Sequence, residues 1–167
     1  GFNFIKSSKR LISPEDSLLI VNKVRKSFPG KNFKCVGLFD KELFSEVEKI
    51  VEYSKLDMIQ LCGDGDMDSS IPSIKLIRIK PEDKEDEIIK KIQDYLMIHN
   101  YVILDTFKEG KLGGTGEKFD WNSLKNIIRT TNVFTSGGLN LSNISDLIKN
   151  FKPFAIDVSS GVETEGE

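Results

Sequence analysis

Short apolar runs alternate with stretches of helical period from one end of this chain to the other. The runs are Gly1–Ile5, Phe33–Phe39, Leu56–Leu61, Ser73–Ile79, Tyr101–Asp105, Asn132–Thr135 and Phe154–Val158. Seven strands joined by crossovers dictate a parallel sheet, because a parallel neighbour can be reached only over one face. Two closures satisfy the pattern: an open doubly wound sheet or a barrel. With 167 residues the chain has the length of one domain, which by itself favours the open sheet, since a full eight-fold barrel usually needs about 200 residues or more. Both ends, however, read as cut within an element. One more strand–helix unit before Gly1 and a helix after Glu167 complete an eight-fold barrel. The expectation is therefore a single incomplete TIM-barrel domain over 1–167, lacking the first strand–helix unit and the last helix.

The connections carry their own signals. Ser13-Pro-Glu-Asp16 starts a helix that runs to about Lys26, with Ser13 at the cap, Pro14 at the first helical position and acids at the positive end of the dipole. Asp40 is expected to cap a helix with Leu43, Phe44, Val47, Ile50 and Val51 on one face. Asp64–Ser70 is polar and too short for a full helix. Pro81 to about Leu96 is a charged helix with Ile88, Ile89, Ile92 and Leu96 facing inward. Asp120 is expected to cap Trp121–Arg129, and Asn140 a helix burying Leu141, Ile144, Leu147 and Ile148.

Composition excludes some partners. The 24 Lys and Arg residues are scattered among 26 acids for a net charge of −2, which argues against nucleic acid and a membrane surface. No apolar run approaches the roughly 20 residues of a membrane span. Cys35 and Cys62 lie in apolar runs as small packing residues, with no disulfide framework, so a reducing, cytoplasmic setting is expected. No His/Cys/Asp cluster has metal-ligand spacing. His99, between a helix and a strand, reads as a surface residue without a role.

The chemistry should sit on the loops after the strands. Asp105 ends the run Tyr101-Val-Ile-Leu and could be a general acid or base, a metal ligand or a helix cap. A Thr follows it and the next helix start is as far as Asp120, which disfavours capping. Gly113-Gly-Thr-Gly116 lacks the Lys-Ser/Thr of a P-loop and reads as a mobile active-site loop. Ser136-Gly137-Gly138 and Ser159-Ser160-Gly161 share a composition that brings backbone N–H groups and hydroxyls to an anion, at the two positions where barrels frequently bind phosphate. Tight turns use the same residues, so neither loop is decisive alone. The pair Lys9-Arg10 past the first strand could be a surface pair, or Arg10 could hold a carboxylate in bidentate fashion.

Several segments in order resemble phosphoribosylanthranilate isomerase of tryptophan biosynthesis. They are Gly1-Phe-Asn-Phe4 followed by Ser8-Lys-Arg-Leu-Ile-Ser-Pro-Glu15, Val36-Gly-Leu-Phe39, Ile59-Gln-Leu-Cys-Gly-Asp64, Ile103-Leu-Asp-Thr106, Gly113-Gly-Thr-Gly-Glu-Lys-Phe-Asp-Trp121, Ser136-Gly-Gly-Leu-Asn140 and Phe154-Ala-Ile-Asp-Val-Ser-Ser-Gly-Val-Glu163. The resemblance implies a (βα)8 barrel without metal or cofactor that performs an Amadori rearrangement on a sugar phosphate, phosphoribosylanthranilate. It implies Asp105 as general acid, Arg10 on the anthranilate carboxylate, Gly137, Gly138, Ser159 and Ser160 on the phosphate, and Asp157 beside the ribose. It also implies possible fusion or association with other tryptophan-pathway enzymes. Three departures stand out. The family's general-base cysteine, in a Lys-Ile-Cys-Gly motif, matches neither Cys35 nor Cys62. Cys62 stands where the family usually has His. The fourth helix is shrunken to Asp64–Ser70. A catalytically impaired phosphate-binding relative is the alternative. A synthase of the indole-glycerol-phosphate type would need catalytic lysines, for which Lys75 alone is a poor basis.

Overall fold

The computed structural model describes residues 1–67, 70–80, 82–106, 122, 124–129 and 132–164. They form two compact units, Gly1–Lys75 and Leu76–Glu167. The strands are β1 (Phe2–Asn3), β2 (Val36–Phe39), β3 (Met58–Leu61), β4 (Ser73–Ile79), β5 (Tyr101–Thr106), β6 (Val133–Ser136) and β7 (Ala155–Ile156), and they neighbour one another in chain order. The recorded pairings, β1–β2, β2–β3, β3–β4, β5–β6 and β6–β7, are parallel. The helices are α1 (Pro14–Ser27), α2 (Phe44–Ser54), α3 (Glu85–Leu96) and α4 (Ile144–Phe151).

In the first unit, α1 begins as its residues dictate. The Ser13 hydroxyl oxygen accepts from the Asp16 amide at 3.0 Å and donates to the Asp16 carboxylate at 2.8 Å. Val21 of α1 and Val47 of α2 bury against Phe39, Ile59 and Leu61 of the strands. The rings of Phe4 and Phe39 stack at 5.2 Å. Asp40 does not cap α2. Leu43 holds the cap position without a side-chain bond, while the Asp40 amide donates to Glu42 at 2.7 Å. Asp40 is held elsewhere: the next amide after β3, that of Cys62, reaches Phe39 O at 2.7 Å, and the Gly63 Cα presses on the Asp40 backbone so closely that a Cβ would collide with it.

In the second unit, Ile88 and Ile92 of α3 pack on Ile77 and Ile79 of β4 and Val102 and Leu104 of β5. Leu124 and Ile128 join this core, but Leu124–Arg129 form turns and no regular helix. The Ile128 amide reaches Leu124 O, and then the Ile128 carbonyl accepts from Phe154, the residue before β7, at 3.0 Å. That bond takes the carbonyl a continuing helix would use. Trp121 and Asp120, like the expected Gly113–Gly116 loop, lie outside the described residues. His99 is 3% exposed, contrary to a surface position. Its amide donates to Tyr95 O at 2.8 Å and its ring tilts against that of Tyr95, so the end of α3 folds the imidazole inward.

Asn140 does not cap α4, whose cap position is Asn143. The Asn140 side-chain oxygen accepts from the amide and hydroxyl of Ser142 at 2.8 and 2.6 Å, forming an Asx turn. The helix starts later, so Leu141 falls outside it at 88% exposed, Ile148 is half exposed at 48%, and Leu147 carries the burial. The two cysteines are free and buried. Among the described residues no helix is long and apolar enough to cross a membrane.

Candidate active site

Alternation along the strands of the second unit decides what faces the site. Val102 and Leu104 of β5 and Val133 of β6 are buried in the core under α3. Their neighbours in sequence therefore point to the other side of the sheet. Ile103 pairs with Phe134, Asp105 with Ser136, and Thr135 with Ile156. Asp105, Ser136 and Asp157 thus share one face at the C-terminal ends of three adjacent strands. At the other end of that face Tyr101, Phe134 and Phe154 form an aromatic cluster, with ring centroids 5.5 to 6.4 Å apart.

Asp105, Ser136, Gly137, Gly138, Asp157, Ser159 and Ser160 line one cavity of about 230 Å³. Burial pushes the Asp105 carboxyl above the usual carboxylate range, the nearby Asp157 adds to the rise, and Arg78 opposes it. Burial likewise raises Asp157. Two carboxyl groups that cannot both ionise cheaply are suited to holding a proton for delivery.

The loops beside them are built for close backbone approach. Gly137 and Gly138 take φ of 95° and 65°, the left-handed region that side-chain-bearing residues rarely enter. Two asparagines fix this turn from outside: the Asn140 and Asn143 side-chain amides both donate to Gly138 O, at 3.2 and 2.9 Å. After β7, Ser160–Val162 form a 3₁₀ turn. Its Gly161 packs directly on the Leu139 backbone, where a Cβ would collide with the Leu139 carbonyl oxygen and lie 2.9 Å from the Asn140 Cα. The two glycine–serine loops are thereby in contact. The Ser136 hydroxyl donates to Leu104 O at 3.1 Å, tying β6 to β5 beside Asp105.

Six of the seven residues singled out in the sequence come together at this cavity: Asp105, Gly137, Gly138, Asp157, Ser159 and Ser160. Arg10 belongs to the other unit, exposed after β1, with its amide bonded to the Ser8 hydroxyl at 3.1 Å. Burial pushes the Cys35 thiol up, away from the thiolate a cysteine base requires. Sequence reading passed over Asn140 and Asn143 as loop anchors, although Gly-Gly-Leu-Asn-x-x-Asn spells an Asx turn. It weighed Lys75 only as a catalytic lysine and missed its place in the structure. That side chain is 1% exposed and donates to Gly63 O at 3.0 Å and Gly65 O at 2.6 Å, with Asp66 at 3.0 Å. A lysine in phase with the buried Ile77 and Ile79 of its strand was its signal.

The family profile described as N-(5'phosphoribosyl)anthranilate (PRA) isomerase matches residues 1–167. The N-(5'-phosphoribosyl)anthranilate isomerase of Thermoanaerobacter pseudethanolicus is 38% identical over 171 residues, covering 99% of this chain and 78% of that protein. The Listeria monocytogenes isomerase is 35% identical, covering 100% of this chain and 79% of its own. Among solved structures, the Thermotoga maritima phosphoribosyl anthranilate isomerase superposes with a TM-score of 0.79 at 30% identity, over 98% of this chain and 78% of that one. A phosphoribosyl anthranilate isomerase in complex with reduced 1-(o-carboxyphenylamino)-1-deoxyribulose 5-phosphate matches at a TM-score of 0.72 and 29% identity, over 98% and 76%. The fold is thus parallel α/β of TIM-barrel type, and the chain belongs to the phosphoribosylanthranilate isomerase family.

Proposed function

We propose that this chain converts N-(5'-phosphoribosyl)anthranilate to 1-(o-carboxyphenylamino)-1-deoxyribulose 5-phosphate in tryptophan biosynthesis, with Asp105 as the general acid. The observation that carries the assignment is Asp105 itself: a carboxyl raised by burial, at the cavity formed by two glycine–serine loops. Phosphate held by the amides and hydroxyls of Gly137, Gly138, Ser159 and Ser160 leaves the ribose ring over the carboxyls. Asp105, neutral, gives its proton to the furanose ring oxygen as the C1–O bond breaks. The nitrogen lone pair becomes a C=N bond, the C2 proton passes to a base that neither Cys35 nor Cys62 supplies, and the resulting enolamine tautomerises to the ketone. Asp157 takes a ribose hydroxyl and Arg10 the anthranilate carboxylate. The family relationship supports these roles, and the cavity supports those of the second unit.

We read β1–β7 as strands two to eight of an eight-fold barrel in one domain spanning 1–167. The shared cavity at the tips of β6 and β7 supports this, as the seventh and eighth strand loops of barrels frequently hold phosphate. A cytoplasmic setting and association with neighbouring tryptophan-pathway enzymes belong to the same reading, on the strength of the pathway role alone.

Turnover of phosphoribosylanthranilate by the chain and by its Asp105→Asn variant is the test. Turnover by the parent and its loss in the variant are expected. An impaired phosphate-binding relative would bind the product analogue without turnover, and an Asp105→Asn variant of full activity would end the acid assignment.

A further inference from the structure

The two glycine–serine loops carry three serines at the cavity, and their surroundings separate them. Ser159 and Ser160 are exposed, and the Ser159 side chain makes no cap bond to the turn it precedes. Ser136 is buried, at 6% exposed, yet it lines the cavity. Its hydroxyl hydrogen is spent on Leu104 O at 3.1 Å. A hydroxyl has one hydrogen and two lone pairs, so Ser136 has only acceptor capacity left for a ligand. A phosphate ester, mostly dianionic at neutral pH, offers acceptors as well. Ser136 is therefore unsuited to the anion, although it opens the Ser-Gly-Gly motif. What it can receive is a donor.

Position narrows the donor. Ser136 pairs in register with Asp105, and the Asp157 amide bonds to the carbonyl of Thr135, the residue before Ser136. The hydroxyl thus stands on β6 between the two carboxyls, with one strand spacing, about 4.8 Å, to either side. A ligand with its phosphate at the loops and its ring oxygen at Asp105 lays its sugar carbons over this hydroxyl. A ribofuranose carries two free hydroxyls. The 2'-oxygen gives up its hydrogen to become the ketone, and an acceptor beneath it would end facing another acceptor. The 3'-hydroxyl keeps its hydrogen from substrate to product. Its carbon adjoins C4', which bears both the ring oxygen and the phosphate arm. An oxygen that can only accept suits the hydroxyl that never stops donating.

We propose that Ser136 is a specificity-determining residue, whose oxygen accepts a hydrogen bond from the 3'-hydroxyl of the substrate ribose while Leu104 O holds it in the accepting orientation. The proposal rests on the isomerase reading. It makes the end of β6 a reader of the sugar, while the loop that follows holds the phosphate.

Calorimetric titration tests it with two probes: reduced 1-(o-carboxyphenylamino)-1-deoxyribulose 5-phosphate and its 3-deoxy counterpart, which lacks the former 3'-hydroxyl. The parent chain should favour the hydroxylated probe by about 10-fold, the range of one hydrogen bond. Ser136→Ala should cut that preference to about twofold or less by weakening the hydroxylated probe, with the deoxy probe's affinity unchanged. Ser136→Cys keeps the shape but is a weak acceptor and should do the same. Ser136→Thr keeps the hydroxyl and should keep the preference. Each variant alters one hydrogen bond to Leu104 O, so thermal unfolding should show all three folded. An unchanged preference in Ser136→Ala and Ser136→Cys overturns the proposal. So does an equal loss of both probes, which would make the hydroxyl a tie between strands alone. Equal binding of both probes by the parent overturns it and spares the isomerase reading. Binding of neither probe by the parent overturns both.

Discussion

The two units treat the charges beside their strands in opposite ways. In Gly1–Lys75 the charges of Lys75 in β4 and Asp57 before β3 are matched by partners. Lys75 gathers two carbonyls and Asp66, and Asp57 accepts from the Cys35 amide at 2.7 Å and from Arg25 at 3.0 Å. In Leu76–Glu167 two carboxyls, Asp105 partly buried and Asp157 exposed, face a cavity between loops whose backbone is held open by glycine. Polar groups that satisfy one another stabilise; polar groups held against burial without such partners store a capacity for reaction. The contrast assigns architecture to the charges of the first unit and acid chemistry to those of the second.

Removing the acid is the largest test of that division. Asp105→Asn should lower kcat by about 10²- to 10⁴-fold, the usual contribution of a general acid, with KM little changed. Steady-state kinetics reads it, and a variant that loses KM instead would make Asp105 a binding group. The matching test in the first unit is Lys75→Met. Leaving two carbonyls without their donor should cost about 3 kcal/mol of stability by urea unfolding, with the 42% exposure of Asp66 softening the loss of the ion pair. If stability held while kcat collapsed, the first unit would carry chemistry and the contrast would fail.

Gly161→Ala asks how far the cavity depends on contact between its two loops. The new methyl would meet the Leu139 carbonyl and force the loops apart, at about 1–3 kcal/mol. KM for the phosphorylated substrate should rise about 10-fold, with kcat less affected, if the strain falls on phosphate binding. A KM within twofold of the parent would show that the loops bind independently.

The smallest effect is on pH dependence. A carboxyl whose folded pKa is raised binds more protons folded than unfolded, so stability is full below the unfolded pKa near 3.8 and declines as pH rises through the folded pKa. Asp157→Asn should flatten that decline in pH-dependent denaturation. The same change removes a charge that raises Asp105, so the alkaline limb of kcat should move to lower pH. A limb that stayed in place would uncouple the two carboxyls.

The parts of the site that were legible in the sequence were those with local causes. Asp105 is the polar end of an apolar strand, and Ser136-Gly-Gly and Ser159-Ser-Gly carry their turn chemistry in their composition. Helix starts were legible where the cap is local, as at Ser13. They failed where a neighbouring strand competes: Asp40 is taken up by the β3 loop, and Asn140 by a turn that serves Gly138. His99 escaped because its burial comes from the way the end of α3 folds over it, which no periodicity records.

The contact of Gly161 with the Leu139 backbone has an evolutionary consequence. Two segments separated by about one strand–helix unit of sequence share a boundary fixed by a missing side chain. Neither can lengthen or gain bulk alone without displacing the other. Drift toward a differently sized anion would therefore require paired changes, and this corner of the molecule should accept mutations in concert or hardly at all.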